Sequence, residues 1–470
     1  MCAPLTQDIV LKLYSDVYNH LSQSFALPPL KDPVQFHEGQ AYYNLQALNL
    51  LEGRHLLPFR LSIRFLLTFM RLERLSPDFT QKTEIFLRDE RQLCEKLTPE
   101  SSWTETQANL KRFFQECPHH YELPLINDAL SFFLTQFLNR QFNGTPADLF
   151  KDAADSRTRS MLRSMRHLQG AIEHNLPIRL YLNSCIETNH FSFEMLKLRD
   201  EDFSHLLQDF LAEFGDRCPN ELKLETKSYR EYPIEFLKIL LSEPSKHQTQ
   251  ITSTSQGILN RFFVRKLKSS YALRESSSWM RCRAFGVLRS YFLWFGERLC
   301  AAGAIESKED IFYFTLSEIF SLNSASGDFR ELIMDRRVRI YDQKEKNDLA
   351  TTPSIHSDLK GLACSGFTEV GEVIVLKSEE DAESRLTELS GKIIVIPTAG
   401  PGLIHILMRS KGLIVEKGSI IAHSAILCRE LGIPAVWNSK NACSNLKDHQ
   451  KIRIDGQKGT IELISSPDDR

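Results

Sequence analysis

No C-x-x-C pair occurs among the ten cysteines, which stand at 2, 94, 117, 185, 218, 282, 300, 364, 428 and 443. That scatter excludes both zinc-finger spacing and a disulfide framework, and it predicts reduced thiols. An excess of charge of one sign is also missing. A net charge of −2 removes the electrostatic case for nucleic acid or an anionic membrane surface. Long apolar runs are absent: LSIRFLLTFMRLERL is cut by Arg64, Arg71 and Arg74, too often for a membrane span. The opening MCAPLTQDIVLKLYSD has neither the basic start nor the apolar core of a signal peptide. No stretch reads G-x-x-x-x-G-K-[ST], and the GPG at 400–402 is too short to cradle a phosphate. No internal repeat or low-complexity tract is present. These absences predict a cytoplasmic protein with no nucleic-acid or membrane partner, no metal site and no nucleotide site of its own.

What is there is an ordinary globular composition, 42% hydrophobic and 25% charged over 470 residues, enough for two to four domains. Residues 1–342 are dominated by helical periodicity, as in NDALSFFLTQFLNRQF, SHLLQDFLAEF and AFGVLRSYFLWFGERLCAAG, with apolar residues three and four apart. Several such helices are apolar on more than one face, so they are expected to pack on one another. The polar EPSKHQTQITSTSQ at 243–256 reads as an interior loop. QKEKNDLATTPSIHSDLK, 343–360, is polar without a strong period and reads as a linker. Beyond it, EVIVLK, KIIVIP, GLIVEK and PAVW alternate with DAESRLTEL, LIHILMRS and SAILCREL. The chain closes on KIRIDGQKGTIELI, whose Asp455-Gly456 and Lys458-Gly459 pairs suit a strand–turn–strand. The expected fold is multi-domain: a mainly α-helical body, 1–342, then a small α/β domain, 361–470.

Within that α/β domain, GSIIAHSAILCRELGIPAVW places His423 after a buried strand and at the start of a helix. Unpaired N–H groups and the positive dipole end gather at such a start. They disfavour an imidazolium and offer donors to an anion on the ring, with the Ser424 hydroxyl beside them if it points the same way. A phosphoryl group on a ring nitrogen suits this setting. So does a histidine that merely caps or packs, and spacing alone does not choose between them.

The run EKGSIIAHSAILCRELGIPAV resembles the phosphohistidine signature of the phosphoenolpyruvate-utilising enzymes. His423 matches the phosphoacceptor, and Arg429, Glu430, Gly432, Ile433, Pro434, Ala435 and Val436 repeat the frame after it. LACSGFTEVGEVIVL, with Gly361, Gly366 and Gly371 in or just before it, is similar to the entry of the same domain, and IRIDGQKGTIELI to its closing hairpin. In the helical body, EGQAYYNLQALNLL (38–51), FLAEFGDRCPNELKL (210–224) and 273–319 resemble the phosphoenolpyruvate synthase and rifampicin phosphotransferase branch. The resemblance implies a phosphohistidine swivelling domain with His423 as carrier. Ser424, Ser419 and Arg429 are then candidates to steady the phosphate, and Arg217 and Glu221 candidates for an acceptor pocket, with a structural ion pair the other reading of that last couple. Three departures stand out. Ala422 replaces the usual hydroxyl residue, Thr398-Ala399-Gly400-Pro401 lacks the aspartate of the family turn, and Asp216 replaces the histidine of G-H-R.

Relatives that run the full reaction carry an ATP-grasp domain, and the first 340 residues lack a nucleotide domain's strand–helix alternation. The expectation is therefore a dikinase-type phosphotransferase subunit. ATP and Mg would be held by a separate ATP-grasp partner, and the acceptor would be a small molecule. The alternative is a catalytically degenerate interaction or regulatory protein that keeps the fold.

Overall fold

A computed structural model of the chain describes residues 3–24, 34–37, 40–43, 59–128, 157–218, 223–241, 258–349, 359–365, 367–378, 381–382, 385, 388–400, 403–418 and 423–464. The 243–256 loop, residues 129–142 of the first helical run quoted above, and Gly366 lie outside the described residues. The chain divides into two units. The first comprises 1–133, 222–225 and 269–351, and the second 134–221, 226–268 and 352–470. The expected single body over 1–342 is thus two, because a helical excursion in mid-chain groups with the C-terminal domain.

Helices dominate the first unit, as the periodicity predicts. α1 (Pro4–Ser24), α2 (Phe59–Glu95) and α3 (Trp103–Glu116) are separated by a hairpin of β1 (Val34–His37) and β2 (Gln40–Tyr43). That hairpin departs from the purely helical expectation, since VQFH and QAYY are aromatic-rich and flank a Glu-Gly pair. Next in the chain, in the second unit, come α4 (Arg157–Glu173), α5 (Leu176–Thr188), α6 (Phe193–Lys197), α7 (Glu201–Phe214) and α8 (Pro233–Leu240). Asn175, Ser192 and Asp200 cap α5, α6 and α7 through their side chains. The long α9 (Ile258–Ala301) runs back into the first unit, which ends with α10 (Leu316–Ser321) and α11 (Arg330–Leu349).

The first unit's core gathers Leu5, Ile9, Leu110, Phe113, Tyr291, Phe292 and Phe295. Two of its tryptophans are held by indole hydrogen bonds: Trp103 Nε1 donates to the Leu322 carbonyl and Trp294 Nε1 to the Thr98 carbonyl, both at 2.8 Å. Residues 343–349 of the expected linker continue α11, and 350–358 lie outside the described residues. α11 packs Ile333 into the first unit's core and carries exposed charge pairs such as Arg339–Asp335, 2.8 Å apart.

In the second unit, the C-terminal domain is a seven-stranded sheet in the order β3-β7-β6-β5-β4-β8-β9. The strands are β3 (Leu362–Ala363), β4 (Thr368–Val375), β5 (Ile393–Thr398), β6 (Gly412–Lys417), β7 (Ala435–Trp437), β8 (Lys451–Asp455) and β9 (Thr460–Leu463). β4, β5, β6 and β7 are mutually parallel, while β3, β8 and β9 pair antiparallel. Ile393 to Ile396 and Leu413 to Val415 have no exposed surface, as continuous apolar runs in a sheet covered on both faces require. The closing turn is the expected one. The Gln457 and Lys458 amides bond to Asp455 Oδ1 at 3.0 and 2.9 Å, and Gly459 takes φ +71. Three short or medium helices join the strands: α12 (Ile404–Leu407), α13 (His423–Leu431) and α14 (Ala442–Asn445). No helix among the described residues is long and apolar enough to cross a membrane.

Glu318 gives the first unit a pH handle. Its carboxylate accepts from the Thr315 amide at 2.7 Å in a capping box and from Arg336 at 2.7 and 2.8 Å. Burial pushes this carboxyl up, but the bonds from Arg336 and Thr315 outweigh it and leave it below the ordinary range. A depressed carboxyl stabilises the fold above its unfolded value and loses that contribution as pH falls. Glu318→Gln is therefore expected to cost about 1 kcal/mol at pH 7, part of the effect being screened by solvent. Urea unfolding at pH 7 and again below about pH 4 should show the gap to wild type narrowing in acid.

Candidate functional site

The parallel strands end at one edge, and the candidate site is built there. β6 ends at Lys417, Gly418 follows it, and α13 begins at His423. α13 then leads into β7, which pairs parallel to β6. The N-terminal end of α13 thus stands at the carboxyl edge of β5, β6 and β7, the edge at which open α/β sheets bind ligands. The expected placement of His423 at a helix start is what the backbone shows.

Both ends of this nine-residue helix are fixed. At its start, Ser424 is fully buried and its hydroxyl donates to the Ala399 carbonyl at 3.1 Å. Ala399 directly follows β5, so the bond ties the helix start to the neighbouring strand. At its end, Gly432 takes φ +72, the Ile433 amide bonds to the Cys428 carbonyl at 2.9 Å and the Gly432 amide to Arg429 at 3.3 Å. This is a Schellman ending, with Gly in the left-handed position and Pro434 just beyond it. The Leu-Gly-Ile-Pro run that the sequence offers as a family frame is, physically, a helix stop.

Ser424 gives its hydroxyl proton to the Ala399 carbonyl, so its side chain tethers the helix start. Arg429 lies six residues beyond His423, about 9 Å along the helix, and its guanidinium reaches the Cys364 carbonyl at 3.5 Å. It therefore secures the far end of α13 against the segment after β3. Ser419, Ala422 and Glu221 lie outside the described residues. Arg217 is 3% exposed, its carbonyl accepting from the Tyr229 amide at 2.9 Å while the neighbouring Asp216 meets Arg230 at 3.3 Å. That is a buried turn after α7. The thiols near α13 are not rival nucleophiles: burial pushes Cys364 up to about 11 and Cys428 well above its ordinary value. Sequence reasoning passed over Ala399, whose contribution is a carbonyl, and Trp437, which reads as one more apolar strand residue.

The first unit holds a cleft of about 790 Å³, lined by residues that include Lys12, His20, Lys111, Phe114, His119 and Phe320. There His20 Nε2 lies 3.0 Å from His119 Nδ1, and Lys111 stands over the Phe320 ring at 5.2 Å. Among the described residues no three His, Cys, Asp or Glu side chains gather as metal ligands.

The site is thus a parallel β-α-β unit with a helix-start histidine at its carboxyl edge. Residues 388–459 match the model of the PEP-utilising enzyme mobile domain, and residues 127–252 that of the rifampicin phosphotransferase fourth domain. The chain is 25% identical over 299 residues to a rifampicin phosphotransferase of Bacillus subtilis, covering 55% of this chain and 34% of that one. It is 23% identical over 325 residues to that of Bacillus cereus, covering 59% and 36%. A probable phosphoenolpyruvate synthase of Archaeoglobus fulgidus is 33% identical over 123 residues, covering 25% and 16%. These similarities all lie within the PEP-utilising enzyme family. It spans about a third of the length of the rifampicin phosphotransferases it matches.

The anchoring of α13 is testable by substitution. A Cβ at Gly418 would lie 2.8 Å from Trp437 Nε1 and 3.0 Å from its Cδ1, and Trp437 has no exposed surface through which to yield. Gly418→Ala is expected to destabilise by about 1–3 kcal/mol through overpacking. Ser424→Ala, which leaves the Ala399 carbonyl without its hydroxyl donor, should cost about 1–2 kcal/mol. Chemical denaturation of both variants beside wild type measures the two effects.

Proposed function

We propose that this chain is a phosphotransferase component that carries a phosphoryl group on His423 from ATP to a small-molecule acceptor. The observation that supports it most is the position of His423 at the first residue of α13, on the carboxyl edge of the parallel strands, inside the segment that matches the mobile domain. The names of the relatives point the same way.

In this reading a neutral ring nitrogen of His423 attacks phosphorus. The P–O bond to the nucleotide breaks and the phosphoryl group stays on nitrogen. An acceptor oxygen then attacks the same phosphorus, the P–N bond breaks, and the ring is regenerated. Little covalent work falls to the protein, so positioning and charge stabilisation at the helix start supply the catalysis. We assign the nucleotide and its Mg to an ATP-grasp protein that works with this chain, since the sequence contains no glycine-rich phosphate loop. No step is routed through a metal on the described residues. The helical cleft of the first unit, with two lysines, two histidines and an aromatic floor, offers a concave surface for a small acceptor.

Incubation with labelled ATP and candidate ATP-grasp proteins, followed by mapping, tests this reading. Acid-labile label is expected on His423 alone, and none in His423→Ala. Label that persists in that variant, or that sits on a serine, would overturn the assignment. A wild-type chain that stays unlabelled with every partner would favour the interaction-protein alternative.

A further inference from the structure

Trp437 closes β7 with no exposed surface, and its indole Nε1 has no hydrogen-bond partner. Trp103 and Trp294, by contrast, each donate to a backbone carbonyl. A buried donor left unpaired is costly and uncommon in folded proteins, so it calls for a reason. Its position supplies one. Trp437 pairs with Val415 across the β6–β7 ladder, and its Nε1 edge lies against Gly418, where the chain leaves β6 on its way to α13. Val436 packs in one cluster with Ala442 and Leu446. By strand alternation Trp437 turns to the opposite face of the sheet. The unpartnered N–H is therefore presented at the carboxyl edge on which α13 begins. That start has the unpaired backbone donors that favour an anion, and the indole adds a second, independent donor beside them.

We propose that the Trp437 indole N–H is a binding donor for the phosphoryl group carried at His423. The inference rests on the phosphocarrier reading. An aromatic donor suits this task because its rigid ring holds the N–H in place without side-chain ordering, and it cannot accept a proton from the ligand. A hydrogen bond to the charged phosphoryl oxygens stabilises the carried form before transfer.

The test needs no partner protein. Phosphoramidate is added to the full chain labelled with nitrogen-15 at tryptophan. A His423 ring nitrogen attacks its phosphorus, the P–N bond breaks, and the nitrogen departs as ammonia. Mass spectrometry maps the product, and nuclear magnetic resonance follows the indole N–H signals, that of Trp437 being identified by its loss in Trp437→Phe. On phosphorylation of His423 the Trp437 signal is expected to move downfield while those of Trp103 and Trp294 stay in place. The phosphohistidine of Trp437→Phe should hydrolyse about tenfold faster, as the loss of one hydrogen bond to a charged group implies. Ser439→Ala removes another buried hydroxyl without a partner, two residues on, and should leave the lifetime unchanged. If His423 is phosphorylated yet the Trp437 signal does not move, the inference fails and the carrier reading stands. If phosphoramidate modifies no histidine at 423, the carrier reading fails and the inference falls with it. Should Trp437→Phe not fold, the signal is assigned by triple resonance and its shift in the wild-type chain decides.

Discussion

A parallel sheet has to be covered on both faces, because its strands cannot be joined by tight turns and its connecting helices must go somewhere. That requirement organises the C-terminal domain. β5 and β6 are apolar without alternation since both of their faces are buried, and α12 and α13 lie in the crossings that join β5 to β6 and β6 to β7. The crossover after β6 brings the chain back to the start of a helix at the strands' carboxyl edge. The location of His423 follows from that geometry before any particular side chain near it is considered.

Much of this was legible in the sequence, and the reason is local. IIVI, LIVE and AVW are short apolar runs bounded by turn residues, and a strand of that kind needs no distant information to be recognised. The same holds for the closing hairpin, whose Asp455 and Gly459 meet local backbone demands. The end of α13 was legible too, since Gly432 and Pro434 together stop a helix. Ser424 and Arg429 were legible as residues of this helix, but the groups they bond to were not. A side chain's direction depends on what stands across from it, here Ala399 and Cys364, residues 25 and 65 positions away in the chain.

The division of the helical region was not legible for a related reason. Periodicity reports which face of a helix is buried and says nothing about the partner that buries it. Phe210 stacks on Phe236 at 4.4 Å, and Arg409 donates to the Lys238 carbonyl at 2.5 Å, so the mid-chain helices belong with the C-terminal residues. The first unit joins residues distant in sequence, as Glu225 shows by accepting from the Ala3 amide at 2.9 Å and from the Thr6 hydroxyl at 2.6 Å. Residues 343–349, which read as linker, continue α11.

The two-ended anchoring of α13 has a consequence for how this site can drift over evolutionary time. The helix is held by a carbonyl at 399, a hydroxyl at 424 and a glycine at 432, none of which belongs to the 419–422 segment. The constraint passes instead to positions 399, 418 and 432. At 418 and 432 it is a matter of space and backbone angle, and at 399 of the direction of a carbonyl, so selection there acts on shape and leaves side-chain chemistry free.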